Sequence, residues 1–145
     1  MNASGWATKS VLANKERGNK LKSFTLVHPG GQTTTNCMLN PQTVLRLQAS
    51  REDQIGKTIL SLIGDEIIVV TATPEDAMQI LGVQLVKLQH HDRAGRPGFD
   101  FEVFVSPSNI SLVTKSNVGS FYTLSFVDGT HVDVVDASPL FSLAK

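Results

Sequence analysis

Residues 40–44 (NPQTV) decide how this chain is interpreted, because residues 106–110 (SPSNI) repeat their pattern 66 positions later. In each stretch a proline keeps the residue before it, Asn40 or Ser106, in an extended conformation, and a tight turn follows. This turn directs the fifth residue, a valine or an isoleucine, into the core. We therefore expect Asn40, Pro41 and Pro107 to have structural roles.

The segments around these two stretches also occur twice and in the same order. Two β-prone segments precede each stretch, residues 23–28 and 33–39 in the first half and 83–89 and 99–105 in the second. Each stretch is followed by a hairpin with a glycine in its turn, Gly64 or Gly129. A short helix then begins at Thr73-Pro74 or at Ser138-Pro139, where a capping residue precedes a proline suited to the first turn.

This order of elements predicts a mainly β fold (β-rich α+β) with an internal repeat. We expect two tandem ββ-ββα repeats of about 60 residues, packed with pseudo-twofold symmetry as a small sandwich or partly closed barrel. The predicted organisation is a basic N-terminal arm (1–22), a first β-rich repeat (23–82) and a second (83–145), which share one core as a single domain. A single repeat of this size would be only marginally stable.

Alternation of apolar and polar residues predicts which side chains face the core. The predicted core residues are Phe24, Leu26, Met38, Val44, Leu60, Leu62, Ile68 and Val70 in the first repeat, and Leu85, Phe101, Val103, Val105, Ile110, Leu124, Phe126, Val132 and Val134 in the second.

The Asn40 stretch, the Gly64-Asp65 turn and the Thr73-Pro74-Glu75-Asp76 helix start together resemble the small flagellar-motility proteins of the FlbD type. That family combines a hairpin, an Asn-Pro-x-x-Ile element, a second hairpin and a short acidic helix, and here the pattern would be present twice. The second copy departs from it, since Ser106 replaces the asparagine and no acidic residues follow Pro139. The resemblance implies a fold and supplies no catalytic residue.

Composition excludes several classes of protein. Thirteen basic residues balance thirteen acidic ones, so no net charge attracts the chain to nucleic acid or to a lipid surface. The one cysteine, Cys37, cannot form an intramolecular disulfide, and it lies among apolar neighbours where a thiol behaves as a small hydrophobe. No apolar run has the length of a signal peptide or membrane span, and we expect no membrane association and a cytoplasmic location.

The densest group of chemically active side chains lies in the loop 90–98, whose residues are HHDRAGRPG. One interpretation is a solvated hairpin tip. The other is recognition of an anion or a partner through His91, Arg93 and Arg96, with glycines that let backbone amides approach a phosphate. Adjacent His90 and His91 would point to opposite faces of an extended chain, so we expect no metal site.

These features favour a non-enzymatic interaction or assembly protein that forms a homo-oligomer and binds a protein partner, without a cofactor. A phage structural or accessory protein fits the size and the duplication, and would be virion-associated. The alternative is a nucleotide- or nucleic-acid-binding module that uses the 90–98 loop together with the basic arm, where Lys15 and Arg17 lie.

Overall fold

A computed structural model of the chain describes residues 20–28, 33–50, 57–96 and 101–142. Within them lie ten strands: β1 (Lys22–Val27), β2 (Thr34–Leu39), β3 (Val44–Ala49), β4 (Thr58–Leu62), β5 (Glu66–Val70), β6 (Val86–Gln89), β7 (Glu102–Val105), β8 (Ile110–Lys115), β9 (Tyr122–Phe126) and β10 (His131–Val134). The same described ranges contain two helices, α1 (Pro74–Leu81) and α2 (Ser138–Phe141). The predicted mainly β fold is confirmed.

The order of the elements is the same in both halves of the chain. Each half has two strands, a 3-10 turn (Pro41–Thr43 or Pro107–Asn109), three strands and a short helix. The pairing of the third strand with the fourth shifts register at the same place in both, between Val44 and Arg46 and between Ile110 and Leu112. The hairpins in the sequence predicted four strands in each repeat. The structure has five, because β3 and β8 are strands that the sequence did not predict.

The 3-10 turns form as the sequence predicts. Asn40 is extended (φ −82°, ψ 112°), and its side chain accepts a hydrogen bond from the Gln42 N–H at 3.0 Å. Val44, which follows the turn, is fully buried, whereas its counterpart Ile110 is half-buried. The proline therefore ends β2 and redirects the chain into the core.

All strand pairs are antiparallel, and they form two sheets. One has the order β2-β1-β5-β4-β3-β7-β6 and the other has the order β10-β9-β8. A bridge between His90 and Val134 links the sheets. Among the described strands, β2 and β8 are paired on one side only, so the sheets do not close into a barrel.

The joint between the repeats pairs β3 with β7, with Arg46 opposite Val105 and Leu47 opposite Phe104. These strands are not equivalent, since β3 is the third strand of its repeat and β7 is the second of its own. In strand pairing the repeats therefore meet head to tail.

Buried apolar side chains form one cluster in each repeat. The first contains Phe24, Leu39, Val44, Leu47, Leu60, Leu62, Val70, Ala77 and Leu81. The second contains Leu45, Leu88, Val103, Val105, Leu124, Phe126, Val132, Val134 and Ala137.

Three predicted core residues lie outside both clusters, namely Leu26, Met38 and Phe101. Met38 is 62% exposed, and its neighbour Leu39 is buried in its place. Leu85, which the sequence assigned to the core of the second repeat, is half-buried and packs against the first cluster.

Candidate functional site

A groove of about 690 Å³ lies between the outer face of the first sheet and the loop that follows β6. We call it the Arg46 groove. The first repeat contributes outward-facing side chains of β3, β4 and β5: Arg46, Gln48, Ile59, Ser61 and Ile67. The second repeat contributes the loop after β6, together with Phe101 and the outer face of β10: His90, His91, Asp92, Arg93, Arg96, Phe101, His131 and Asp133.

Arg46 is half-buried on the first-repeat side of this groove. Burial lowers the pKa of its guanidinium, and the negative charge of Asp65 partly opposes that shift. Among the described residues, no carboxylate lies within ion-pair distance of Arg46. A partly desolvated cation without a paired carboxylate is stabilised when an anion binds beside it.

Arg93 is held on the other side of the groove. Its Nε lies 2.5 Å from Oδ2 of Asp133 and its Nη2 lies 3.2 Å from Oδ1, which is a bidentate ion pair. The guanidinium also lies over the Phe121 ring, 5.0 Å from its centroid. Burial tends to raise the pKa of Asp133, but hydrogen bonds from Arg93 and Thr123 outweigh it and the pKa is lowered. These bonds use Nε and Nη2, so the Nη1 side of Arg93 stays available for a second acceptor.

The loop itself is closed by Asp92. Its carboxylate accepts hydrogen bonds from the Arg96 backbone N–H at 2.7 Å and from Nε and Nη2 of the same residue at 3.0 and 2.9 Å. The side-chain hydrogen bond from Arg96, followed by the backbone one, lowers the pKa of Asp92 well below its ordinary value. Gly95 has φ 67°, a conformation that favours glycine at this turn. The described part of this loop is therefore built around internal hydrogen bonds.

Three histidines also line the groove. The His90 ring stacks on Phe101 with centroids 4.4 Å apart, and the His91 ring stacks on Phe121 at 4.5 Å. Both residues line the groove, although their rings stack on different aromatic side chains. His131 lies on β10, next to Val132 of the second core.

The structure thus brings together three of the predicted contact residues, His91, Arg93 and Arg96. Lys15 and Arg17 lie outside the described residues. Arg46 was missed by sequence reasoning. The available signal was a single arginine in an otherwise apolar and amide-bearing segment, residues 44–49 (VLRLQA), which has the alternation of a strand.

The residues predicted to be structural lie at turns. Pro41 and Pro107 begin the two 3-10 turns. Gly64 and Gly129 have φ of 93° and 90° in the two hairpin turns. The Asp128 carboxylate accepts a hydrogen bond from the Gly64 N–H at 2.9 Å, so these two equivalent turns contact each other.

The chemistry that this arrangement supports is the binding of an anion. Arginines present planar sets of donors suited to phosphate or carboxylate oxygens. Within the described ranges, no group of three or more His, Cys, Asp or Glu side chains could hold a metal ion. No helix among those residues is long and apolar enough to span a membrane.

The fold is similar to that of a known protein domain. No family model matches the chain, and no curated protein matches it. Among solved structures, a LytTr DNA-binding domain from Bacillus cereus is similar, with a TM-score of 0.53 and 17% sequence identity over 85% of this chain and 96% of that domain. At this identity the similarity establishes a shared β-rich fold. The resemblance to FlbD-type proteins is not tested by it and stays a prediction.

Proposed function

We propose that the chain is a nucleic-acid-binding module that contacts the phosphate backbone of duplex DNA through the Arg46 groove. The observation that carries the proposal is the half-buried guanidinium of Arg46, with which no described carboxylate forms an ion pair. The similarity in fold to a DNA-binding domain supports DNA as the ligand class. This function was the alternative in the sequence analysis, and these observations favour it over an assembly role alone.

The balance of charge in the groove is compatible with this ligand. Three arginines face two carboxylates there, Asp92 and Asp133, and each carboxylate already forms an ion pair with one arginine. Among the residues that line the groove, positive charge is therefore in excess, although the chain has a net charge of zero. Local charge of this kind directs phosphate binding even where the whole-protein field is weak.

The two ion pairs hold the guanidinium groups of Arg93 and Arg96 in fixed orientations, in addition to offsetting their charge. Asp133 fixes the plane of the Arg93 guanidinium over Phe121, and Asp92 holds Arg96 against the loop. An arginine whose orientation is fixed in advance loses less side-chain entropy when it binds a phosphate. The groove thus combines one unpaired guanidinium with two that are held in place.

The test is the affinity of the full chain for labelled duplex DNA, measured by fluorescence anisotropy at several salt concentrations. Arg46→Gln removes the guanidinium, and we expect a loss of affinity of about tenfold and a salt dependence weaker by about one counterion. Lys87→Gln is the matched control. Lys87 is an exposed cation that pairs with Glu102 outside the groove, so its loss should change affinity little.

Single-stranded DNA and RNA of the same sequence are measured beside the duplex. Tighter binding of the duplex supports the proposal. Tighter binding of a single strand would contradict duplex DNA as the ligand and indicate that the groove binds single-stranded nucleic acid. Equal effects of Arg46→Gln and Lys87→Gln, or no binding at low salt, would contradict a role for the groove. The proposal assigns no catalytic step to these residues, and it leaves the phage-associated role without support from the comparisons.

A further inference from the structure

One edge strand of each sheet, β2 in the first and β8 in the second, could pair with a further strand. Inside the chain, the third strand of the first repeat (β3) pairs with the second strand of the second repeat (β7). The equivalent strands are β8 and β2, and among the described residues each is paired on one side only. We propose that copies of this chain associate head to tail, with β8 of one copy pairing with β2 of the next in the register of the internal joint.

The register follows from the 66-residue spacing of the repeats. Arg46 and Leu47 correspond to Leu112 and Val113, and their partners Val105 and Phe104 correspond to Leu39 and Met38. The new joint would therefore place Leu112 opposite Leu39, and Val113 opposite Met38, of the neighbouring copy. Both third strands carry the same register shift at their start, so the backbone that forms the internal joint is also present at the open end.

The exposed side chains at these edges fit this role. Phe104 packs against the first core across the internal joint, and its counterpart Met38 is 62% exposed. Leu112, on the other open edge, is 55% exposed. A second copy would cover both side chains, since Met38 would reach the second core of its neighbour beside Val113.

The open edges also lack the features that usually prevent strand pairing. Residues of β2 (TTNCML) include no charge and no proline, and β8 (ISLVTK) has only Lys115, at its end. Exposed edge strands commonly carry charges, prolines or bulges that block pairing with another chain. The β8 bulge lies at the start of the strand and recurs in β3, which is paired, so it does not block the edge.

The joint between copies should be weaker than the internal one. The internal joint is reinforced by Asn109, whose side chain donates to the backbone of the first 3-10 turn. The residue equivalent to Asn109 is Thr43, whose hydroxyl donates to the Asn40 carbonyl of its own turn. Self-association should therefore increase with protein concentration. A heterologous joint of this kind gives rings or open chains of copies.

The test uses cysteines placed at the proposed contact, in full-length chains in which Cys37→Ser removes the native thiol. One chain carries Met38→Cys and the other carries Val113→Cys. Directly opposed residues of antiparallel strands are close enough for a disulfide. We expect a cross-linked species of twice the chain mass when the two chains are mixed and mildly oxidised, and none with either chain alone.

Lys115→Cys, two residues further along β8, is the matched control and should not cross-link to Met38→Cys. Sedimentation of the unmodified chain gives a second measurement, and its mass should increase with concentration. Cross-linking within one variant alone would indicate symmetric β2–β2 or β8–β8 pairing and would overturn the proposal. A constant single-chain mass without cross-linking would also overturn it. This inference does not depend on DNA binding.

Discussion

Asn109 donates from its side-chain nitrogen to the backbone carbonyl of Val44 at 2.9 Å, and the two residues belong to different repeats. The same nitrogen donates to the carbonyl of Gln42, also at 2.9 Å. Asn109 is buried, and its bonds satisfy two carbonyls at the end of the first 3-10 turn. The first repeat is thereby fastened to the second at the point where β3 enters the core.

Replacing Asn109 by alanine tests this fastening. Asn109→Ala removes both hydrogen bonds from a buried position, so we expect the free energy of unfolding to fall by about 2 kcal/mol. Urea denaturation followed by circular dichroism measures the change. Asn117→Ala, at an exposed position of the β8–β9 connection, is the control and should shift the midpoint little. Equal midpoints for the two variants would contradict the role of Asn109.

The carboxylate of Asp128 should make the free energy of unfolding depend on pH in the acid range. Hydrogen bonds from Thr130 and from the backbone of Gly64 and Asp65 lower its pKa from 3.8 to about 2. Because the folded-state pKa is the lower one, the carboxylate stabilises the fold above about pH 4, and this contribution is lost as the pH falls toward 2. We expect the Asp128→Asn variant to be less stable than the wild type near neutral pH and to lose less stability on acidification.

The measurement is the free energy of unfolding at several values from about pH 5 to about pH 2. Glu66→Gln removes an exposed carboxylate at the start of β5 and serves as the control. Its acid dependence should follow that of the wild type. Parallel curves for Asp128→Asn and the wild type would show that the contact between the two hairpin turns does not involve the charge.

A negative charge in the groove should oppose DNA binding. Ser61 lies on β4, half-buried on the same face as Arg46, so Ser61→Glu places a carboxylate beside the guanidinium. We expect affinity for duplex DNA to fall by at least about tenfold, because the new charge repels phosphate and pairs with the arginine. Gln79→Glu adds the same charge at an exposed position of α1 and should have little effect. If both variants bind alike, phosphate contacts a different surface.

Local chemistry made the turns, the cap of α1 and the repeat predictable. The expected cap of α2 was wrong, because Ser138 lies within the helix and the N-cap residue, Ala137, forms no side-chain cap. Thr73 accepts a hydrogen bond from the Asp76 N–H and Gly82 ends α1 with φ 67°, as a capping residue and a terminal glycine indicate. The 3-10 turns follow in the same way from Asn40-Pro41 and Ser106-Pro107. Signals of this kind depend on neighbours along the chain, and a sequence displays them directly.

Pairing between distant strands was not predictable in the same way. The phase of β2 depends on which face its partner β1 buries, so alternation alone selected Met38 over Leu39. The role of Arg46 depends on the joint that places β3 beside β7 and aligns it with the loop after β6. Sequence reasoning found the loop side of the groove, where polar residues cluster, and missed the side formed by a single arginine within a strand.

The hydrogen bonds that Asp92 accepts should determine how rigid the loop is. The Arg96 backbone N–H donates to the Asp92 carboxylate at 2.7 Å, so Asp92→Ala exposes that amide to water. We expect hydrogen exchange at the Arg96 amide to accelerate by roughly tenfold or more, the factor for losing a charge-assisted hydrogen bond. Affinity for DNA should decrease in the same variant, because Arg96 loses the carboxylate that orients its guanidinium.

Glu102→Ala on the neighbouring strand β7 is the matched variant. It removes one carboxylate from an exposed ion pair with Lys87, and exposed ion pairs contribute little to stability. Exchange at the Arg96 amide should therefore stay at the wild-type rate in this control. If Asp92→Ala and Glu102→Ala leave that rate equally unchanged, the loop is held by its backbone bonds, such as the Gly95 N–H to the Asp92 carbonyl at 2.9 Å. Asp92 would then have no part in presenting Arg96 to phosphate.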